Sequence, residues 1–190
     1  MTRIRHERPA DAAPRDALLD LVFGAARFAK TCERLREGRL PAGGLSFVAS
    51  QRNRLIGTVR LWHVSAGPGR PALLLGPLAV DPDYRNRGVG AALMERALRD
   101  ARQLGHREIL LVGDPPYYAR FGFSAARTEG LSLPGPWERR RLLGVALVPE
   151  ANAAATGLVC ATGALAHTAA DMSAAVPALR RKAAALSRAA

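Results

Sequence analysis

The chain has 190 residues, of which 48% are apolar and 23% charged. That is the balance of one ordinary globular domain with enough chain to bury its own core, and its two cysteines, Cys32 and Cys160, exclude a disulfide scaffold and a four-cysteine zinc site. The formal charge is +12, from 28 Lys plus Arg against 16 Asp plus Glu; such a surplus suits nucleic acid, acidic membrane or a phosphorylated cofactor. Only Lys30 and Lys182 are lysine, and the wealth of Arg, Ala, Gly and Pro equally fits a compositional bias, so the charge alone selects no function. The first residues, Met1 to Arg8, are charged and hold no apolar h-region, so a cytoplasmic, reduced protein is expected.

In chain order, residues 2–6 read as a short strand and residues 12–23 as a helix with Leu18, Leu19, Leu21, Val22 and Phe23 along one side. Residues 28–37 read as a second helix stopped by Gly38. Strands follow at 45–50 and 54–64, joined by a Gln51-Arg52-Asn53 hairpin, with a turn at Gly67-Pro68-Gly69. Residues 72–80 form a nearly continuous apolar run, the pattern of a central strand. Residues 88–104 give the clearest helix, with Val89, Leu93, Ala97, Ala101 and Leu104 on one stripe and Gly105 at its end. A buried strand at 108–112, a short helix or turn at 115–120 and a late strand at 139–148 complete the pattern. This order predicts an α/β protein with a mixed sheet; it fits neither a TIM barrel nor a full dinucleotide-binding fold.

Residues 151–190 differ, with 17 Ala among 40 residues. A membrane helix is excluded there because Asn152, Thr156, Gly157, Thr162, Gly163 and His167 interrupt a weakly hydrophobic run. The expected division is a domain over 1–149 and an Ala-rich, basic extension over 150–190, loosely packed or partly helical after Asp171.

The informative segment is Leu73 to Val80, then Asp81-Pro82-Asp83-Tyr84, then Arg85-Asn86-Arg87-Gly88-Val89-Gly90. A buried strand runs into a basic, glycine-containing turn that opens a long helix. The first amides of a helix lack internal partners and sit at the positive end of its dipole, so this is an anion site. Gly88 and Gly90 allow close backbone approach, and Arg85 and Arg87 add donors suited to phosphate oxygens. No Gly-Lys-Ser/Thr follows, and Leu93 stands where a dinucleotide fingerprint needs its third glycine.

Arg85-x-x-Gly88-x-Gly90 resembles the Gln/Arg-x-x-Gly-x-Gly/Ala motif of the GNAT superfamily of acetyl-CoA-dependent N-acetyltransferases. Tyr118, four residues before Gly122-Phe123, is similar to the family's second landmark. The motifs cover residues 73–123, and the element order carries the resemblance over roughly 3–148. The resemblance implies a GNAT-like fold: a central twisted mixed sheet with a bulged, splayed central strand and flanking helices. It implies acetyl-CoA as co-substrate, with pyrophosphate on Arg85, Asn86, Arg87, Gly88, Val89, Gly90 and Ala91, and pantetheine along Leu78, Ala79 and Val80. Gly76-Pro77 independently predicts a break in the ladder, since proline cannot donate. An amide near Leu78 would stabilise the oxyanion.

The implied reaction is attack of a neutral amine on the thioester through a tetrahedral intermediate, with an acid to protonate the leaving thiolate. Tyr118, at the family's position, is the expected acid: a phenol near ~10 can protonate a thiolate near ~8.5. The base is open. Residues 73–80 offer no carboxylate, which departs from many family members; His63 and Asp114 are candidates, each also readable as structural, and a water chain would serve as well. Phe28 to Thr31 with Arg34 and Arg36 lie where the family's acceptor-binding helices sit. The histidines show no metal-ligand spacing, and neither cysteine has a visible histidine partner, so no metal is expected. Two other readings remain: a basic nucleic-acid-binding module, disfavoured because the arginines are scattered and no recognition motif is present, and a non-catalytic CoA sensor or partner protein. The acceptor is undefined, whether small molecule or polypeptide, and monomer and homodimer are both open; no membrane partner is expected.

Overall fold

The computed structural model describes residues 1–149 and 155–166. Its sheet runs in the order β1 (Arg3–His6), β2 (Ser46–Gln51), β3 (Arg54–Ala66), β4 (Pro71–Val80), β5 (Glu108–Val112) and β7 (Leu142–Ala146). All neighbours along this path are antiparallel except β4 and β5. The expected mixed α/β sheet is therefore present. The β2–β3 hairpin turns on Arg52 and Asn53 at φ 49° and 61°, the left-handed pair that matches the twist of the flanking strands.

Helix α1 (Ala12–Phe23) lies on one face of the sheet and α3 (Val89–Gln103) on the other. On α3, Val89, Leu93, Met94, Ala97 and Ala101 are buried and pack on Phe47, Val59, Leu61, Leu73, Leu75, Ile109 and Leu111. This 3.6-residue stripe meets the period-two faces of β2 to β5. Leu104, expected on the stripe, lies one residue past the helix and is 55% exposed.

The central strand breaks its pairing where the sequence predicted. Val59 pairs with Leu78 and Leu61 with Leu75, so Gly76 and Pro77 together face Arg60. The indole Nε1–H of Trp62 donates to the Gly76 carbonyl at 2.6 Å. The extra residue inverts side-chain parity along β4. Leu73 and Leu75 face α3 before the bulge; Leu78 and Val80 face it afterwards, while Ala79 turns to Leu18 and Leu19 of α1.

Three expectations are corrected. The helix predicted over 28–37 is instead a 3-10 turn (Ala25–Ala29), an extended Lys30 and a short α2 (Thr31–Arg34). The strand predicted over 139–148 starts only at Leu142, because Arg139–Arg141 form a 3-10 turn. The boundary near Pro149 does not end the sheet. β8 (Thr156–Ala161) pairs antiparallel with Val64, Ser65 and Ala66 and parallel with β6 (Gly130–Ser132). Val159 and Ala155 are buried with Val64, Ala66, Leu131 and Leu133. The Leu40 amide donates to Ala164 and the Ala166 amide to Gly38, both at 2.8 Å. Alanine-rich composition hid a strand because β3 supplies the apolar partners it lacks. The helix expected after Asp171 lies outside the described residues. Among the described residues no helix is long and apolar enough to cross a membrane.

This docking gives a direct test. Val159→Ala, at a fully buried position, should lower unfolding free energy by about 2 kcal/mol. Leu158→Ala, at a side chain 46% exposed, should cost under ~0.5 kcal/mol. Denaturant titration of both variants separates a docked strand from a loose tail, for which the two would match.

Candidate functional site

β4 and β5 pair at only two positions, Leu73 with Ile109 and Leu74 with Leu110. Beyond them the strands diverge, so the edge of β4 from Leu75 to Val80 that faces β5 has no strand partner among the described residues. Splayed backbone of this kind offers ladder donors and acceptors to an extended ligand.

The turn after β4 is fixed from below. Asp81 is 3% exposed; its carboxylate accepts the Asp83 amide at 3.0 Å and pairs with Arg54 at 2.6 Å. Gly88 takes φ +76° as the N-cap of α3, and a side chain there would enter open space. The amides of Val89, Gly90 and Ala91 have no backbone acceptor among the described residues. Arg85, Asn86 and Arg87 are exposed beside them, and the Arg87 guanidinium lies 5.3 Å from the Tyr84 ring centre. Gly90 also makes room for a neighbour: a β-carbon there would stand 2.7 Å from the Tyr117 hydroxyl. Its bareness admits the helix after β5 and closes the mouth of the splay.

That helix, α4 (Pro115–Ala119), carries Tyr118. Gly113, at the end of β5, makes room for its ring: an added β-carbon would lie 2.2 Å from Tyr118 Cε2. The ring stands edge-on to Tyr117, with centres 4.9 Å apart, and near Phe123 at 6.0 Å. Burial, helped by Tyr117 and Asp114, pushes the phenol from its ordinary 10 up to about 12, against a smaller opposing effect of Arg141. The hydroxyl is therefore neutral and able to donate at all physiological pH values.

Leu78, Val80 and Tyr118 pack against the same core cluster beside the first turn of α3, where a β-carbon on Gly90 would lie 3.5 Å from Val80, whereas Ala79 faces α1. Asp114, just before α4, is exposed; its carbonyl accepts the Tyr117 and Tyr118 amides, while its carboxylate makes no capping bond. His63 is not brought in. It pairs with Leu73, at the closed end of the splay, and its ring stacks 5.5 Å from His106. Leu73 lies seven residues before Val80 on β4, about 20 Å of strand. Among the described residues no cluster could hold a metal ion.

A cleft of about 590 Å³ opens on the face opposite α3, beside the bulge. Arg60, Trp62 and Pro77 form its floor; Phe28, Glu33, Arg36 and Glu37 stand along its wall. Arg34 and Arg36 were expected together on a substrate wall; Arg36 is on it, whereas Arg34 is exposed and donates to the Pro134 carbonyl. Glu33, Glu37, Arg60 and Trp62 were missed. For Glu33 a signal existed, its i,i+3 spacing to Arg36; Arg60 and Trp62 join the cleft only through strand register.

Residues 15–123 match the family model described as Acetyltransferase (GNAT) family. The chain is 32% identical over 157 residues to YhbS of Escherichia coli K12, described as an uncharacterized N-acetyltransferase, covering 82% of this chain and 93% of that one. The crystal structure of E. coli YhbS in complex with CoA is similar at TM-score 0.72 and 33% identity, over 85% of this chain and 89% of that one. A GNAT family acetyltransferase from Brucella melitensis in complex with acetyl-CoA is similar at TM-score 0.60 and 27% identity, over 90% and 97%.

Burial of Tyr118 fixes the sign of a pH effect. As pH rises above the ordinary 10, the unfolded chain releases this proton while the folded one keeps it to about 12. The unfolded state then binds fewer protons, so stability should fall with rising pH across that window. Tyr118→Phe should flatten this slope in denaturant melts and remove one phenolate absorbance step near pH 12; an unaltered slope would show that the ring is not buried.

Proposed function

The chain belongs to the GNAT acetyltransferase family, and on that premise we propose that it transfers the acetyl group of acetyl-CoA to a primary amine by direct attack. The observation that carries this reading is the continuity of an unpaired β4 edge with the free amides of the Gly88 turn. The pyrophosphate lies against the amides of Gly88 to Ala91, where helix polarity and the exposed Arg85 and Arg87 favour negative charge. The pantetheine arm runs along Leu78, Ala79 and Val80 as an added strand, bringing the thioester to the bulge. The Leu78 amide then faces the oxyanion as the carbonyl becomes tetrahedral.

The amine nitrogen bonds to the carbonyl carbon, the C–S bond breaks, and the proton lost by nitrogen balances the one gained by sulfur. Tyr118 donates to the departing sulfur. Its phenol holds its proton more tightly than a thiol near about 8.5, so the O–H stabilises the departing sulfur by donating a hydrogen bond, and the proton lost by nitrogen replaces any that passes on to sulfur. His63 pairs with Leu73 and its ring lies against His106, so this reading assigns it no part in the proton transfer. Glu33 and Glu37, with Asp16, are the carboxylates that line the cleft beside the bulge.

The nucleic-acid reading loses support from how the arginines are used. Arg5, Arg15, Arg27, Arg36, Arg54, Arg60 and Arg96 are each paired with carboxylates of the fold. The sensor reading gains none, because Tyr118 packs beside the first turn of α3.

Calorimetric titration with acetyl-CoA is the first test. Micromolar binding is expected, and Gly88→Glu should abolish it by putting a carboxylate into the phosphate seat; normal affinity in the folded variant would show that the turn is not the seat. Tyr118→Phe should keep acetyl-CoA affinity and lower kcat by about 10²-fold. An unchanged rate, with chemistry limiting, would remove Tyr118 from the reaction.

A further inference from the structure

The cleft opposite α3 contains a donor without an acceptor. Arg36 is 9% exposed, and its guanidinium reaches the bulge: Nη1 lies 3.7 Å from where a β-carbon on Gly76 would be. Nη2 donates to Glu33 at 2.9 Å, while the buried Nε–H meets no hydrogen-bond partner. An unmet buried donor on a charged group costs stability, and the fold tolerates it at the edge of an open cleft.

The other guanidiniums on the floor are already occupied. Arg15 and Arg60 both bind the buried Glu7 carboxylate, and Arg15 also holds Asp16. Arg27, paired with Asp20, and Arg39, bonded to the Gly163 carbonyl, line the cleft as well; Arg36 is the one whose guanidinium lies against Gly76, next to the strand that would carry the thioester. Around it the lining is mixed: Trp62, Pro77 and Phe28, which is 58% exposed, are apolar, while Glu33, held by Arg36, and Glu37 carry carboxylates. The volume suits a small molecule.

Resting on the acetyltransferase reading, we propose that the acceptor is a small amine bearing an anionic oxygen group, a carboxylate or phosphate, which the Arg36 guanidinium binds through Nη1, the nitrogen against Gly76, so that the amine reaches the thioester at the Gly76–Leu78 bulge. Because Arg36 lies against the bulge itself, anion and amine are only a few bonds apart, as in an α- or β-amino acid or an aminoalkyl phosphate. A charge-assisted bond in a half-enclosed site is strong enough to select such an acceptor over its uncharged analogue. The reaction remains balanced as written: the amine becomes the N-acetyl amide, and CoA leaves as the thiol. Arg36 is a specificity-determining residue here and takes no part in proton transfer.

The test has a binding arm and a kinetic arm. N-acetyl-β-alanine and N-acetyl-2-aminoethyl phosphate, which resemble products, are titrated into the CoA-loaded protein while arginine Nε–H resonances are followed by NMR. One resonance should shift with saturation, more strongly for one of the two anions, and it should be absent from Arg36→Lys; N-acetylethylamine should not shift it. In the kinetic arm, glycine, β-alanine and 2-aminoethyl phosphate are each compared with the corresponding amide or alcohol, following thiol release from acetyl-CoA. The anionic member should be preferred by about 10- to 100-fold in kcat/KM. Arg36→Gln should erase that preference through KM, and Arg36→Lys should restore part of it, with acetyl-CoA affinity in each variant reporting an intact fold. No resonance shift with either anion overturns the proposal, as does equal or better use of uncharged amines, or acetylation confined to peptide N-termini. Failure to bind acetyl-CoA at all would instead overturn the transferase reading.

Discussion

The site depends on a proline that cannot donate a ladder hydrogen bond. Pro77 and the residue before it occupy the place of one residue against β3, and Trp62 holds the displaced carbonyl of Gly76 from across the ladder. Three consequences follow from this irregularity. The side chains of β4 change faces, so Ala79 can meet α1 while Leu78 and Val80 stay with α3. β4 leaves β5 after only two residue pairs, freeing the backbone edge. A guanidinium also comes to rest against the bulge, on the face away from α3. The unpaired β4 edge and the cleft beside it are thus two results of the same local defect.

Glycines at two other positions do the complementary work of letting side chains approach. Gly113 admits the Tyr118 ring and Gly90 the Tyr117 hydroxyl, so the short α4 is tied both to the end of β5 and to the first turn of α3. Neither contact requires a special backbone angle; each requires the absence of a β-carbon. Together they fix the Tyr118 ring between β5 and the first turn of α3, while burial keeps its phenol protonated.

The parts of this arrangement legible in sequence were local ones. A buried strand, a glycine turn and an amphipathic helix are contiguous, and the physics of a helix N-terminus needs no distant residue. The bulge was legible because proline states its own restriction. What sequence could not show was convergence across the sheet. Arg60 and Trp62 look like ordinary alternating strand residues until register sets them beside Pro77 and Arg36. The place of His63 depends on the same register: its partner in the ladder is Leu73, before the bulge and away from the Gly88 turn. Residues 156–161 were misread because their burial comes from the other strands. A weakly apolar segment becomes a strand when Val64 and Ala66 offer an uncovered edge.

That late strand also bears on how the chain is made. Val64, Ser65 and Ala66 emerge from the ribosome roughly a hundred residues before Val159, Cys160 and Ala161, with which they pair. Until synthesis reaches that point, the long hairpin of β3 and β4 presents an unsatisfied edge and a half-covered apolar face. Such edges are where nascent chains associate wrongly. Among the described residues, the strand at 156–161 therefore covers this edge of β3 only late in synthesis.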